Sequence, residues 1–69
     1  MKKVKGSYKR EMGFIYVYSN NTVYTISTYD GNWSCCKVGE HTAMGQILTQ
    51  EAYDRWESEF SKVGEFELK

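Results

Sequence analysis

The chain has no proline, one histidine, two cysteines and no long apolar run among its 69 residues. Without a run of about 20 apolar residues, we expect no helix that spans a membrane. Met1-Lys2-Lys3 resembles the start of a signal peptide, but the polar stretch Val4–Glu11 stands where an apolar segment should follow. We therefore expect a cytoplasmic protein with no membrane partner. Since no stretch resembles a linker, residues 1–69 are expected to form a single small domain.

Cys35 and Cys36 are adjacent, which argues against a disulfide bond between them. The Cα atoms of neighbouring residues lie about 3.8 Å apart, closer than the roughly 4.4–6.8 Å of an unstrained bridge. A structural zinc site needs four ligands in two spaced pairs, whereas this chain offers one vicinal pair and His41. We expect no metal and two free thiols, which fit a reducing compartment.

Nothing in the sequence indicates catalysis. A Cys–His catalytic pair needs a thiolate activated by a nearby cation or helix N-terminus, and no feature places His41 beside a thiol. The carboxylates are spaced like those of a solvated helix face. The six glycines are dispersed and form no phosphate-binding loop. We therefore expect a protein that is not an enzyme and that has no cofactor.

The net charge is zero, but the charges are separated along the chain. Residues 1–10 carry five basic side chains and no acid: Lys2, Lys3, Lys5, Lys9 and Arg10. Residues 51–69 carry six acids and three bases, which leaves a net charge of −3. This separation predicts either that the two ends attract each other within the fold or that they form two contact surfaces.

Turn signals divide the middle of the chain into three predicted strands. Asn20-Asn21 suits a two-residue turn between the strands Phe14–Ser19 and Thr22–Tyr29, because asparagine tolerates positive φ. Asp30-Gly31, with or without the asparagine that follows, precedes a third strand, Trp33–Val38. The three strands are expected to form an antiparallel β-meander.

The C-terminal third has one helical pattern. Thr49 suits the N-cap of a helix from Gln50 to about Lys62, and Gly64 suits its end. The apolar face recurs at helical spacing: Tyr53, Trp56, Phe60 and Val63. KKVKGSY suits a short charged edge strand, and EFELK can close the chain as a further strand. The predicted fold is α+β, a small antiparallel β-meander of three to five strands with one C-terminal α-helix packed on one face.

Both faces of the predicted sheet carry large side chains. The first face holds Ile15, Val17, Tyr24 and Ile26, and we expect the helix to cover it. The second face holds Phe14, Tyr16 and Tyr18. A three-residue turn at 30–32 adds Cys36 and Val38 to the first face, whereas a two-residue turn adds Trp33 and Cys35. The longer turn is favoured because it keeps Lys37 out of the core.

One helix cannot cover two faces, so the second face is either closed by the ends of the chain or exposed as a contact surface. We predict that it binds a partner protein, or a second copy of the chain in a homodimer. The predicted anchors are large aromatic residues: Phe14, Tyr16, Tyr18, Tyr29 and Trp33. The basic N-terminus or the acidic helix would steer the partner electrostatically.

The alternative function is single-stranded nucleic-acid binding. The five N-terminal basic residues would contact phosphates while the sheet aromatics stack on bases. In its small size, lack of a motif and vicinal cysteines, the chain is similar to small accessory proteins of bacteria and their phages. This similarity implies a protein that inhibits or modulates a host protein.

Overall fold

A computed structural model describes residues 2–68 of the chain. The elements, in chain order, are β1 (Lys2–Glu11), β2 (Phe14–Ser19), β3 (Thr22–Ser27), β4 (Trp33–Lys37), α1 (Gln50–Glu59) and β5 (Val63–Leu68). All strands form one antiparallel sheet in the order β4-β3-β2-β1-β5. The predicted α+β fold with a meander and one helix is therefore confirmed, with five strands. No helix within residues 2–68 is long and apolar enough to cross a membrane.

Two tight turns connect the first three strands. Asn20 and Asn21 have φ angles of 51° and 58° and join Ser19 to its partner Thr22, which confirms the predicted two-residue turn. The residues between β1 and β2, Met12 and Gly13, form a similar turn with φ angles of 51° and 83°. Nothing in the sequence predicts this second turn, because methionine rarely adopts positive φ.

The connection between β3 and β4 is longer than expected. The Ser27 N–H donates to the Asn32 carbonyl at 2.8 Å, which leaves residues 28–31 as the turn, and Ile26 pairs with Trp33. This register places Trp33 and Cys35 on the first face. The favoured register, with Cys36 and Val38 on that face, is wrong.

The reason for favouring that register does not apply in the folded chain. Lys37 lies at the end of β4, which is an edge strand, and its side chain is exposed. No arrangement was needed to keep this lysine out of the core, because the edge of the sheet already gives it access to water.

The first face is closed by the sheet itself. Its buried side chains come from β1, β2, β3 and β5: Val4, Val17, Tyr24, Ile26 and Leu68. Because the helix packs on the other face, the burial of these residues indicates that the sheet curls over the first face. The Lys2 Nζ atom of β1 lies 5.8 Å from the centroid of the Tyr24 ring of β3, on the same face of the curved sheet.

Two facing glycines allow the sheet to pack this closely. Gly6 in β1 pairs with Gly64 in β5. A Cβ atom on Gly6 would clash with the Tyr18 carbonyl oxygen, and one on Gly64 would lie 3.0 Å from the Tyr8 ring. Gly64 is therefore a strand residue and does not end the helix as expected. Similarly, β1 was expected at an edge but is an interior strand between β2 and β5.

The helix begins as predicted and ends earlier. The Thr49 Oγ1 atom accepts a hydrogen bond from the Ala52 N–H at 3.1 Å, which confirms the predicted N-cap. The helix ends at Glu59 instead of near Lys62, and the extended Phe60 follows as its C-cap. The chain needs the remaining residues to reach Val63, where β5 starts.

The helix packs on the face opposite to the one expected. Its buried cluster consists of Tyr18, Leu48 and Tyr53, and Tyr18 belongs to the second face. The expectation that the helix covers the first face is wrong, because curling of the sheet already buries that face. The second face offered the remaining apolar surface near the Asn20-Asn21 turn, and the helix covers that part of it.

Candidate functional site

The helix makes Tyr18 a core residue. Only 5% of Tyr18 is exposed, and its ring centroid lies 5.6 Å from that of Tyr53 and 5.2 Å from that of Phe60. Burial raises the pKa of the Tyr18 phenol to about 12, because the charged phenolate would lose its hydration there. Tyr18 therefore cannot serve as an exposed anchor in this fold, contrary to the expectation from the sequence.

Tyr16 lies at the border of the covered region. Its side chain is half-buried and packs against the cluster beneath the helix. On its other side, the Tyr16 ring centroid lies 6.4 Å from that of Phe14, whose ring is more exposed. The aromatic row is thus divided: its Tyr18 end is core, and its Phe14 end faces outward.

The exposed end of the row belongs to a cluster that we call the tip surface. It consists of four large apolar side chains at the end of the sheet opposite the Asn20-Asn21 turn: Met12, Phe14, Tyr29 and Trp33. Their exposed fractions are 87% for Met12, 39% for Phe14, 85% for Tyr29 and 36% for Trp33. The fold thus places three of the five predicted anchors at one end of the sheet, with Phe14 on the second face and Trp33 on the first face, and it adds Met12.

The two loops that carry the tip surface are bound to each other. The Gly13 carbonyl accepts hydrogen bonds from the Thr28 N–H at 2.9 Å and from the Thr28 hydroxyl at 2.8 Å. The Tyr29 ring lies directly over Gly13, so closely that a Cβ atom there would be 2.5 Å from it. These contacts fix the positions of Met12 and Tyr29 relative to each other.

A shallow groove of about 380 Å³ lies beside the tip surface. Small hydroxyl-bearing residues form part of it: Thr25, Ser27 and Ser34. At its rim, the Asp30 carboxylate accepts hydrogen bonds from the Asn32 N–H and Nδ2, both at 3.0 Å. The bond from the Asn32 backbone is the main cause that lowers the Asp30 pKa below its usual value. The groove thus gives the tip surface a polar margin.

The predicted steering residues are interleaved with acids. Lys3 pairs in register with Glu67, and Lys5 pairs with Glu65, so the basic start of the chain faces its acidic end. Lys9 forms an ion pair with Glu11, with a distance of 2.7 Å between Nζ and Oε2. Lys2 lies over the Tyr24 ring, and Arg10 lines a groove at the edge of β1.

The residues that were considered for thiol or metal chemistry lie apart. Cys35 is exposed on the first face, whereas Cys36 is half-buried on the second face. Burial is the main cause that raises the pKa of the Cys36 thiol, and the nearby Glu40 carboxylate raises it further. His41 pairs with Ile47 within the loop before the helix. Within residues 2–68, no three of the side chains that commonly bind metals come together.

No protein-family model matches this chain, and no curated protein or solved structure is significantly similar to it. The candidate site therefore stands on the geometry of the tip surface. Met12 is the residue of this surface that sequence reasoning missed. No local signal marks Met12 as an exposed turn residue, because methionine rarely adopts positive φ.

Proposed function

We propose that this protein is a non-enzymatic module that binds another protein through the tip surface. The observation that carries the proposal is the state of Met12, which has a φ of 51° and is 87% exposed. A left-handed backbone costs an ordinary L-residue about 1–2 kcal/mol. The equivalent turn at the other end of β2 uses asparagine at both positions. A large apolar side chain in a strained and exposed position is best explained by contact with a partner.

The tip surface has the composition of a binding site. Tyrosine and tryptophan carry much of the energy in protein interfaces. Full burial of an exposed methionine side chain in an interface contributes about 1.5–3 kcal/mol to the free energy of binding. Because the hydrogen bonds between Thr28 and Gly13 already hold the two loops together, little ordering remains to be done when a partner binds.

The proposed partner is a host protein that the bound chain inhibits or modulates in the cytoplasm. This part of the proposal rests on the general similarity to small accessory proteins of bacteria and phages. Self-association is the nearest alternative, because a homodimer would cover the same four side chains. The nucleic-acid alternative has less support, because three of the five basic residues that it requires, Lys3, Lys5 and Lys9, lie opposite or beside acids.

The experiment compares two double variants of exposed residues. Met12→Asn with Tyr29→Ser removes the most exposed part of the tip surface. Met44→Asn with Ile47→Ser is the matched control, because these side chains are 88% and 55% exposed and lie in a different loop. The wild-type chain and the control should retain the same protein in a pull-down from the native host, and the tip variant should lose it.

Mass spectrometry identifies the retained protein, and light scattering gives the mass of the purified chain. A partner that binds the tip variant as well as the wild type would contradict the proposal. A purified wild type that is a dimer, with a tip variant that is a monomer, would instead assign the tip surface to self-association.

A further inference from the structure

A second groove, of about 570 Å³, lies at the edge of the sheet and shares no residue with the tip surface. Its apolar lining comes from the first face of the sheet, which provides Tyr8, Ile15 and Phe66, and from Phe60 at the end of the helix. The rings of Tyr8 and Phe66 are in edge contact, with their centroids 4.9 Å apart. We call this feature the edge groove.

The edge groove exists because β1 is longer than β5. β5 pairs with β1 from Lys2 to Ser7, and the Tyr8 N–H then donates to the Lys62 carbonyl at 3.1 Å. Beyond that point the chain leads away to the helix, while β1 continues to Glu11 along β2. The last residues of β1 therefore have a sheet neighbour on one side only.

The unpaired side of β1 presents main-chain groups to the groove. In an antiparallel strand, alternate residues direct their N–H and C=O groups to the same side. Because Tyr8 bonds toward the β5 side, Arg10 directs its N–H and C=O to that side as well. Within residues 2–68, no main-chain hydrogen bond joins Arg10 to a residue on the β5 side.

The edge groove is positively charged in a chain whose net charge is zero. Three cationic side chains line it: Lys9, Arg10 and Lys62. One acidic side chain, Glu59, also lines it. Lys9 is engaged by Glu11, which does not line the groove, so Arg10 and Lys62 against Glu59 leave a net charge of +1. A ligand that fits has an extended main chain, an apolar side chain and at least one carboxylate.

From these observations we infer that the edge groove binds an extended acidic peptide segment of another protein. The segment adds a short antiparallel strand to the open side of β1 and bonds to the main chain of Arg10. Its apolar side chain packs among the groove rings, and its carboxylates face Arg10 and Lys62. The inference does not depend on the tip surface, and its test involves different residues.

The test titrates the isotopically labelled full chain with the blocked peptide Ac-Thr-Glu-Val-Glu-Thr-NH2, followed by NMR. The largest amide shifts should occur at Arg10 and its groove neighbours. The same peptide with lysine replacing glutamate, and the acidic peptide with a methylated central amide, should each bind at least about fivefold more weakly. Either control peptide binding as well as the acidic one would overturn the inference, as would shifts confined to other parts of the molecule.

Two variants separate the groove from general charge attraction. Arg10→Gln should weaken binding of the acidic peptide about fivefold or more. Lys5→Gln removes a charge from the same strand outside the groove, opposite Glu65, and should change the affinity less than about twofold. Equal weakening by both variants, or no binding of the acidic peptide at millimolar concentration, would refute the proposed site.

Discussion

Replacing Met12 by asparagine should stabilise the free protein and weaken its binding to a partner. The left-handed backbone of Met12, with φ at 51°, costs about 1–2 kcal/mol for an ordinary residue. Asparagine is several-fold enriched in this conformation, so we expect it to recover about 0.5–1 kcal/mol. In a domain of this size, 1 kcal/mol corresponds to about 4–8 °C in Tm, which gives an expected rise of about 2–8 °C.

Thermal and urea unfolding, followed by tryptophan fluorescence, measure this change. Asn20 has the same φ of 51°, so Asn20→Met should lower the stability by a similar amount. Met44 is 88% exposed and is not among the residues with positive φ within 2–68, so Met44→Asn should change the stability by less than about 0.5 kcal/mol. A Met12→Asn variant that is no more stable than the wild type, or that binds the partner normally, would refute the reasoning.

Three further predictions concern the fold. Thr49→Ala removes the N-cap hydrogen bond to Ala52 and should cost about 1 kcal/mol in urea unfolding, whereas a loss near zero would show that the cap is dispensable. Gly6→Ala forces a Cβ atom against the Tyr18 carbonyl, so the variant should unfold at clearly lower urea concentration, and wild-type stability would contradict the close packing of β1. Because the folded pKa of Tyr18 is raised to about 12 from an ordinary value near 10, stability should be intact below pH 10 and fall as pH rises toward 12. The difference in phenolate absorbance between the wild type and Tyr18→Phe, followed as pH rises, measures the titration of Tyr18. Identical alkaline unfolding of the two proteins would contradict the prediction.

The features that follow from a few neighbouring residues were predictable. The Asn20-Asn21 turn rests on the tolerance of asparagine for positive φ, and it fixes the pairing of β2 with β3. The Thr49 cap rests on one side-chain hydrogen bond within the first helical turn. Alternation along β2 correctly separated Ile15 and Val17 from the aromatic row. These predictions need no knowledge of distant contacts.

The candidate site was predictable only in part, because exposure depends on packing elsewhere. Phe14, Tyr29 and Trp33 were expected as anchors on the strength of residue type, and they are exposed at the same end of the sheet, although Trp33 projects from the first face and Phe14 from the second. Tyr18 has the same residue type and the same alternation as Tyr16, yet the helix buries it. The length of the short helix along the sheet decides which aromatic side chains stay exposed to solvent.

The sequence by itself determined the three strands of the meander, the hairpin at Asn20-Asn21, the helix start and the existence of two apolar faces. Only the tertiary structure decided which face the helix covers, because both faces carry enough apolar area to attract it. The deciding contacts are long-range: β1 pairs with β5 from the opposite end of the chain, and Val4 and Leu68 of these strands join the cluster that closes the first face. Once that face was closed, the helix packed on the other face, with Tyr18 beneath it and Phe14 beyond its reach.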